Sequence, residues 1–146
     1  MVIGAIFAGG IGSRMGSADM PKQYLQLGSK PIIVHTIEKF VVNPGIDRII
    51  VLCPKAWIAH TKDLVKKYLG EAIAEKINVV EGGSTRNGTL ENALKFINEN
   101  FAIDDDSVIV THDAVRPFVT HRIIDENIEA AKKYGACDTV IPATDT

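Results

Sequence analysis

The chain has 146 residues, 46% of them hydrophobic, with a formal net charge of −2 and only two cysteines, Cys53 and Cys137. This length predicts one domain over residues 1–146, and the few cysteines favour a reducing cytoplasm over a disulfide framework. The near-neutral charge gives no general attraction to polyanions, and no apolar run reaches about 18 residues, which argues against nucleic-acid and membrane partners.

Apolar runs and amphipathic runs alternate along the chain. The first kind predicts strands and the second predicts helices. In chain order they give strand 2–7, helix 31–42, strand 48–52, helix 56–69, strand 77–80, helix 85–98, strand 107–111, helix 122–134 and strand 139–141. This alternation predicts an α/β fold of Rossmann-like type, with a mostly parallel sheet and helices on both faces. Ligands of such sheets bind beyond the carboxyl ends of the strands, so the residues after each strand are the candidates for a site.

A glycine-rich loop, Ala-Gly-Gly-Ile-Gly-Ser-Arg-Met-Gly, occupies residues 8–16 directly after the first strand. Glycines let successive N–H groups approach an anion, and Arg14 adds a planar fork suited to phosphate. Gly16 is followed by Ser-Ala, which excludes the Lys-Ser/Thr of a P-loop. A dinucleotide-binding turn fits poorly because the last glycine comes one residue late and Cys53 stands where an acidic residue is needed. A tight glycine turn without a ligand also fits these residues.

Lys22 lies in the same long connection, in the string Pro-Lys-Gln that begins at Pro21. A loop lysine is most often solvated surface. Connections in α/β units are usually about 2–6 residues long, however, and longer ones often bind a ligand. Arg14 and Lys22 together would make a two-cation clamp for a polyphosphate.

These two strings, at residues 8–16 and 21–23, resemble the signature of nucleotidyltransferases that activate sugar phosphates. Among them the chain looks like the cytidylyltransferases that act on methylerythritol phosphate and on ribitol 5-phosphate. The resemblance implies that CTP binds along the loop. Arg14 would hold the β and γ phosphates, and Lys22 would stabilise charge on the α-phosphoryl group. The other implied nucleotide contacts in the loop are Ala8, Gly9, Gly10 and Gly12.

A second motif, Gly-Gly-Ser-Thr-Arg-Asn-Gly-Thr at residues 82–89, follows the third strand and opens a helix. Paired glycines at a helix N-terminus offer N–H groups and close approach to a flat or anionic ligand. An ordinary capped helix start, with Ser84 or Thr85 as the N-cap, explains the residues equally well. The resemblance implies that Arg86 organises the loop. The residues that it places at the cytosine are Gly82, Gly83 and Thr89.

A third motif, Thr-His-Asp-Ala-Val-Arg-Pro-Phe, begins at Thr111. A carboxylate at the end of a strand inside a phosphate site is a natural Mg²⁺ ligand, and the resemblance implies this role for Asp113. The alternative is a carboxylate paired with Arg116. His112 is interpreted as a packing or hydrogen-bonding residue, because Mg²⁺ prefers oxygen ligands.

Two strings, at residues 35–40 and 112–118, look more like the ribitol-phosphate enzymes of teichoic acid and cell-wall biosynthesis. We therefore expect CMP transfer from CTP to D-ribitol 5-phosphate, giving CDP-ribitol and pyrophosphate. The alternative acceptor is the methylerythritol phosphate of isoprenoid biosynthesis. The resemblance also implies a homodimer, and acceptor contacts by Arg116, Asp145 and Thr146. The last strand lacks a covering helix, so we expect the chain to be truncated before the family's arm and closing acidic segment.

Two functions of other classes also remain open. An NAD(P)-dependent oxidoreductase would need an acidic residue after the second strand, where Cys53 and Pro54 stand. A non-catalytic nucleotide-binding module would bind CTP and release no pyrophosphate.

Overall fold

A parallel four-stranded sheet forms the centre of the molecule, as seen in a computed structural model that describes residues 1–10 and 20–143. The strands are β1 (Val2–Phe7), β2 (Gln26–Leu27), β3 (Lys30–Pro31), β4 (Arg48–Cys53), β5 (Ile77–Glu81) and β6 (Val108–Asp113). The α-helices are α1 (Ile32–Val41), α2 (Ile58–Leu69), α3 (Glu71–Ala74), α4 (Arg86–Asn100) and α5 (His121–Tyr134). β2 and β3 form a separate antiparallel hairpin.

The strand order β5-β4-β1-β6 places β1 in the interior of the sheet. Phe7, the last residue of β1, is in register with Leu52 of β4 on one side and with Asp113 of β6 on the other. The chain runs from β1 outward to β4 and β5, then crosses to the opposite side of β1 for β6. Open parallel sheets bind ligands at the carboxyl ends of the strands where the order reverses. The crevice between β1 and β6 is that place here.

Helices cover both faces of the sheet, which confirms the predicted α/β class. α1, α2 and α5 pack on one face, and α4 packs on the other. All six residues of β1 are buried, because a strand covered on both faces has no solvent side. This explains why the first strand appears in the sequence as an unbroken apolar run rather than as an alternating one.

The predicted strand at 139–141 is wrong. Residues 136–143 form neither helix nor strand, and Val140 and Ile141 are 77% and 85% exposed. Thr139 is attached to α5 through a 2.5 Å hydrogen bond donated by the Asn127 side-chain amide. Without strand partners an apolar β-branched segment has no backbone pairing to make it a strand, so local composition misled the prediction.

The connection from β1 to α1 contains elements that the sequence did not predict. Lys22–Tyr24 forms a 3₁₀ turn, and the β2–β3 hairpin follows it around Gly28, whose φ is 67°. The ends of the observed helices differ from the predicted ends by no more than two residues. Pro31 is the N-cap residue of α1, so it precedes the helix and is not its first residue. Within the part of the chain that the structure describes, no helix is long and apolar enough to cross a membrane.

Candidate functional site

A cavity of about 350 Å³ opens at the carboxyl ends of β1 and β6, where the strand order reverses. Four separate segments contribute to its lining: residues 8–10 after β1, Gln23, residues 83–86 before and at the start of α4, and Asp113 at the end of β6. Its volume lies within the range of small-molecule pockets, about 300–1,000 Å³. The candidate residues that the structure brings together here are Ala8, Gly9, Gly10, Gly83, Thr89 and Asp113.

The Gly82–Gly83 turn is closed by internal hydrogen bonds. The Gly82 amide donates to the Cys53 carbonyl at 2.9 Å, and the Gly83 amide donates to the Thr89 hydroxyl at 3.0 Å. The expected free N–H groups are therefore engaged within the protein. A side chain at Gly83 would lie 2.3 Å from the carbonyl carbon of Gly88, so the missing side chain lets this turn pack against the start of α4.

Thr89 is buried, and its hydroxyl joins this turn to the first turn of α4. Its hydroxyl accepts from the Gly83 amide and donates to the Thr85 carbonyl at 2.9 Å. Of the two candidate N-caps of α4, the structure selects Thr85, whose hydroxyl accepts from the Gly88 amide at 3.0 Å. The shape of the turn thus depends on two threonine hydroxyls of the same motif.

Asp113 forms ion pairs with two arginines from different elements. Its Oδ1 lies 2.5 Å from Nη1 of Arg86, the first residue of α4, and its Oδ2 lies 3.1 Å from Nε of Arg116. The Arg86 guanidinium also lies over the Phe7 ring, 5.3 Å from its centroid. The carboxylate therefore links the ends of β1 and β6 to the start of α4.

The two arginines decide the ionisation of Asp113. Partial burial raises the pKa of the carboxyl, but hydrogen bonds from Arg86 and Arg116 outweigh it, so the pKa lies below its ordinary value. The side chain is 28% exposed, and at neutral pH it carries a negative charge beside the cavity.

We expect this lowered pKa to appear as an acid dependence of stability. A depressed folded-state pKa stabilises the protein above the unfolded-state value, near 4, and this contribution disappears as the pH falls through the folded-state value. Both guanidinium groups are largely exposed, so the expected loss is about 1 kcal/mol or less. Urea unfolding of the wild type and of Asp113→Asn, from about pH 6 to about pH 2.5, measures it. If the free energy of unfolding falls equally with pH in the wild type and in Asp113→Asn, this expectation is contradicted. The control is Asp105→Asn, at an exposed aspartate.

A second cavity, of about 760 Å³, adjoins the first at the Arg86–Asp113 ion pair, and these two residues line both. Arg116 lines only the second cavity, which extends along β6 and α5. The imidazole of His112 has its Nε2 2.9 Å from the Arg116 carbonyl oxygen, and its ring packs 5.6 Å from that of Phe40. Arg116 thus lies in the cavity next to the first one.

The other predicted site residues have three different outcomes. Lys22 is exposed, at the start of the 3₁₀ turn next to the first cavity's Gln23. Gly82 lies just outside the cavity lining. Four predicted residues fall outside the described part of the chain, and they are Gly12, Arg14, Asp145 and Thr146.

Sequence reasoning missed Gln23 as a site residue. Its side chain is 1% exposed, lines the first cavity and donates hydrogen bonds to the Ala8 and Gly10 carbonyls. A glutamine that follows a lysine in a loop is usually exposed. The signal that could have found it is its place in the Pro-Lys-Gln string, of which only the lysine had been given a role.

The residues at the cavity fit Mg²⁺ only if a bound nucleotide supplies further ligands. Mg²⁺ is commonly bound by one or two carboxylates plus substrate phosphates, and Asp113 supplies one ionised carboxylate. Across residues 1–10 and 20–143 no group of three His, Cys, Asp or Glu side chains could hold a metal. An ion at Asp113 would therefore depend on phosphate oxygens for its other ligands, and it would compete with Arg86 and Arg116.

The chain matches one protein-family model over nearly its whole length. Residues 2–146 match the model of the family described as IspD, 2-C-methyl-D-erythritol 4-phosphate cytidylyltransferase. The match covers all three motifs.

Solved structures share the fold. A structure titled 4-diphosphocytidyl-2C-methyl-D-erythritol synthase, from Anaerococcus prevotii, is 29% identical with a TM-score of 0.67, covering 90% of this chain and 51% of that one. Another structure of a synthase of that name is 24% identical with a TM-score of 0.69, covering 91% and 55%. The bifunctional IspDF from Campylobacter jejuni is 23% identical with a TM-score of 0.67, covering 90% and 31%. The chain thus spans about half the length of the first two.

Proposed function

Because the chain belongs to the 2-C-methyl-D-erythritol 4-phosphate cytidylyltransferase family, we propose that its protein transfers CMP from CTP to 2-C-methyl-D-erythritol 4-phosphate. The observation that carries the proposal is the cavity between β1 and β6, where the three predicted motifs meet. The cavity would hold CTP, and the adjoining larger cavity lies where the acceptor would meet it.

The choice of acceptor corrects the preference drawn from the sequence. The family description and the name of the 29% identical structure favour methylerythritol phosphate over D-ribitol 5-phosphate. The preference for ribitol phosphate rests on the similarity of two strings alone. One of them, residues 112–118, contributes Val115, Arg116 and Phe118 to the lining of the larger cavity, but that lining does not by itself select an acceptor.

The proposed reaction needs no general base. A phosphate monoester has its second pKa near 6 and is mostly a dianion at neutral pH. One of its oxygens attacks the α-phosphorus of CTP, forming a new P–O bond while the bond to the bridging β-phosphate oxygen breaks. Pyrophosphate leaves with that electron pair, and the product is the CDP-linked polyol. The barrier consists of bringing anions together and stabilising charge at the α-phosphoryl group.

The residues of the chain would divide this work by position. Residues 8–10 and the Gly82–Gly83 turn would approach the nucleotide closely, and Lys22 would stabilise the charge that develops on the α-phosphoryl oxygens. Arg116 would hold the acceptor in the second cavity. Arg14, Asp145 and Thr146 keep their proposed phosphate and acceptor roles from the sequence motifs. A magnesium ion held by Asp113 and phosphate oxygens would neutralise phosphate charge, and a homodimer is part of the proposal.

Pyrophosphate release from CTP and Mg²⁺ tests the proposal when methylerythritol phosphate and ribitol 5-phosphate are compared as acceptors. We expect release with methylerythritol phosphate, at a kcat/KM at least about tenfold above that with ribitol 5-phosphate, or about 1.4 kcal/mol of discrimination. Identification of the CDP-linked product by mass spectrometry is the control for simple CTP hydrolysis.

The other outcomes separate the alternatives. Release with ribitol 5-phosphate alone would keep the chemistry and overturn the acceptor. CTP binding without release from either acceptor would indicate a nucleotide-binding module and contradict the transferase.

A further inference from the structure

Gln23 joins two parts of the proposed site that are distant in sequence. Its side-chain amide donates to the Ala8 carbonyl at 2.6 Å and to the Gly10 carbonyl at 3.1 Å. A primary amide has two N–H donors, and here both are used on the segment that follows β1. The side chain is 1% exposed, so loss of these bonds would leave two carbonyls short of a partner.

Tyr24 fixes the same turn from its other side. Its ring stacks on that of Trp57, with centroids 4.5 Å apart and an interplanar angle of 13°. Its hydroxyl lies 2.8 Å from that of Thr61 on α2. Burial, ahead of the other influences, raises the pKa of Tyr24 far above its ordinary value, so this hydroxyl is neutral at neutral pH.

The turn therefore has two buried side chains and one exposed one. Gln23 attaches it to the segment after β1 and Tyr24 attaches it to α2. Lys22 is exposed and directly precedes Gln23, which lines the cavity. A lysine has a long, flexible stem, and its rotamer freedom opposes a fixed position of the ammonium group. The fold can therefore fix the Cα atom of Lys22, while the side chain beyond it stays mobile.

We propose that Gln23 is a positioning residue, whose amide holds the turn carrying Lys22 against residues 8–10 so that the ammonium group reaches the α-phosphoryl group of bound CTP. The inference rests on the proposed function and extends it. Gln23 acts through Lys22 and through the backbone of the nucleotide segment, and it makes no contact with the reacting atoms. A misplacement of about 1 Å at such a site can reduce turnover about 10²-fold.

A double-mutant cycle with Lys22→Ala tests the proposal in the protein. Gln23→Met keeps the length of the side chain and removes both donors, and Gln26→Met is the matched control at an exposed glutamine. We expect Gln23→Met to lower kcat about 10- to 100-fold with the KM for CTP changed less than about threefold. In the Lys22→Ala background the same substitution should change kcat less than about threefold.

Equal losses in the two backgrounds would overturn the proposal, because a purely structural role would not depend on Lys22. If Gln23→Met does not fold, Gln23→Asn enters the same cycle. Asparagine keeps the amide on a side chain that is shorter by one methylene group, so the amide no longer reaches both carbonyls. We expect the same loss in kcat.

A second measurement decides the proposal without turnover. Bound CTP should protect Lys22 of the wild type from acylation by acetic anhydride, followed by peptide mass spectrometry. We expect Gln26→Met to keep this protection and Gln23→Met to lose it, at CTP concentrations that saturate each variant. Equal protection in both variants, or none in the wild type, would overturn the inference. Absence of pyrophosphate release would count against the proposed function alone.

Discussion

Lys22→Ala is expected to lower kcat about 10²–10³-fold while changing the KM for CTP only a few-fold. Lys22 is exposed at the start of a turn whose other two residues are buried. Its ammonium group has no protein partner among the described residues, and the proposal places it at the α-phosphoryl group of CTP. A cation that meets charge developing at the α-phosphoryl group contributes more in the transition state than in the ground state, so its loss should affect turnover more than binding.

The control is Lys62→Ala, which removes an exposed lysine on α2. It should leave both constants near those of the wild type. Steady-state pyrophosphate release at several CTP concentrations separates kcat from KM. Equal losses in kcat and in CTP affinity for Lys22→Ala would mean that the ammonium group only binds the nucleotide.

Gly83→Ala is expected to reduce CTP affinity at least about tenfold and to lower the free energy of unfolding by about 1–3 kcal/mol. A Cβ at this position would lie 2.3 Å from the carbonyl carbon of Gly88 and 2.6 Å from the amide nitrogen of Thr89. Both are backbone atoms, so either the turn or the first residues of α4 must move. That movement would disturb the bond from the Gly83 amide to the Thr89 hydroxyl, which closes one wall of the cavity.

Gly82→Ala is the matched control for stability. A Cβ there would meet the Thr89 hydroxyl at 3.4 Å and the Cys53 carbonyl at 3.7 Å, so we expect a loss in the free energy of unfolding well below that of Gly83→Ala. Urea unfolding and calorimetric CTP titration measure the two effects. An unchanged CTP affinity in Gly83→Ala would contradict the placement of the nucleotide at this turn.

The elements around the sheet could be predicted from the sequence because burial on both faces produces an unambiguous pattern. β1 is an unbroken apolar run, and α1 carries Ile33, Ile37 and Phe40 on its core side. Parallel strands also align their carboxyl ends, so motifs after the strands were expected at one edge. The structure brings residues 8–10, Gly83 and Asp113 together there.

The remaining features depend on tertiary contacts that no local pattern reports. Two-residue strands such as β2 and β3 are too short to show periodicity. The burial of Gln23 follows from carbonyls that the fold happens to bring beside it, and the internal use of the Gly83 amide follows from Thr89 one helical turn into α4. Residues 139–141 were mistaken for a strand because β-branched composition alone cannot supply a pairing partner.

Asp113 illustrates a site residue for which the sequence left two interpretations open. Its ion pair with Arg116 is present, and Arg86 from α4 adds a second one that spacing could not indicate. Its role as a magnesium ligand stays a prediction. The two arginines are compatible with that role if phosphates replace the carboxylate as their partner when CTP binds.

Backbone amide NMR during a CTP titration tests most directly whether the cavity between β1 and β6 is the nucleotide site. We expect the largest chemical-shift changes at residues 8–10, at the Gly82–Gly83 turn and at Asp113, saturating together with one dissociation constant. Saturable changes centred elsewhere, or no changes at these residues while CTP binds, would contradict the account.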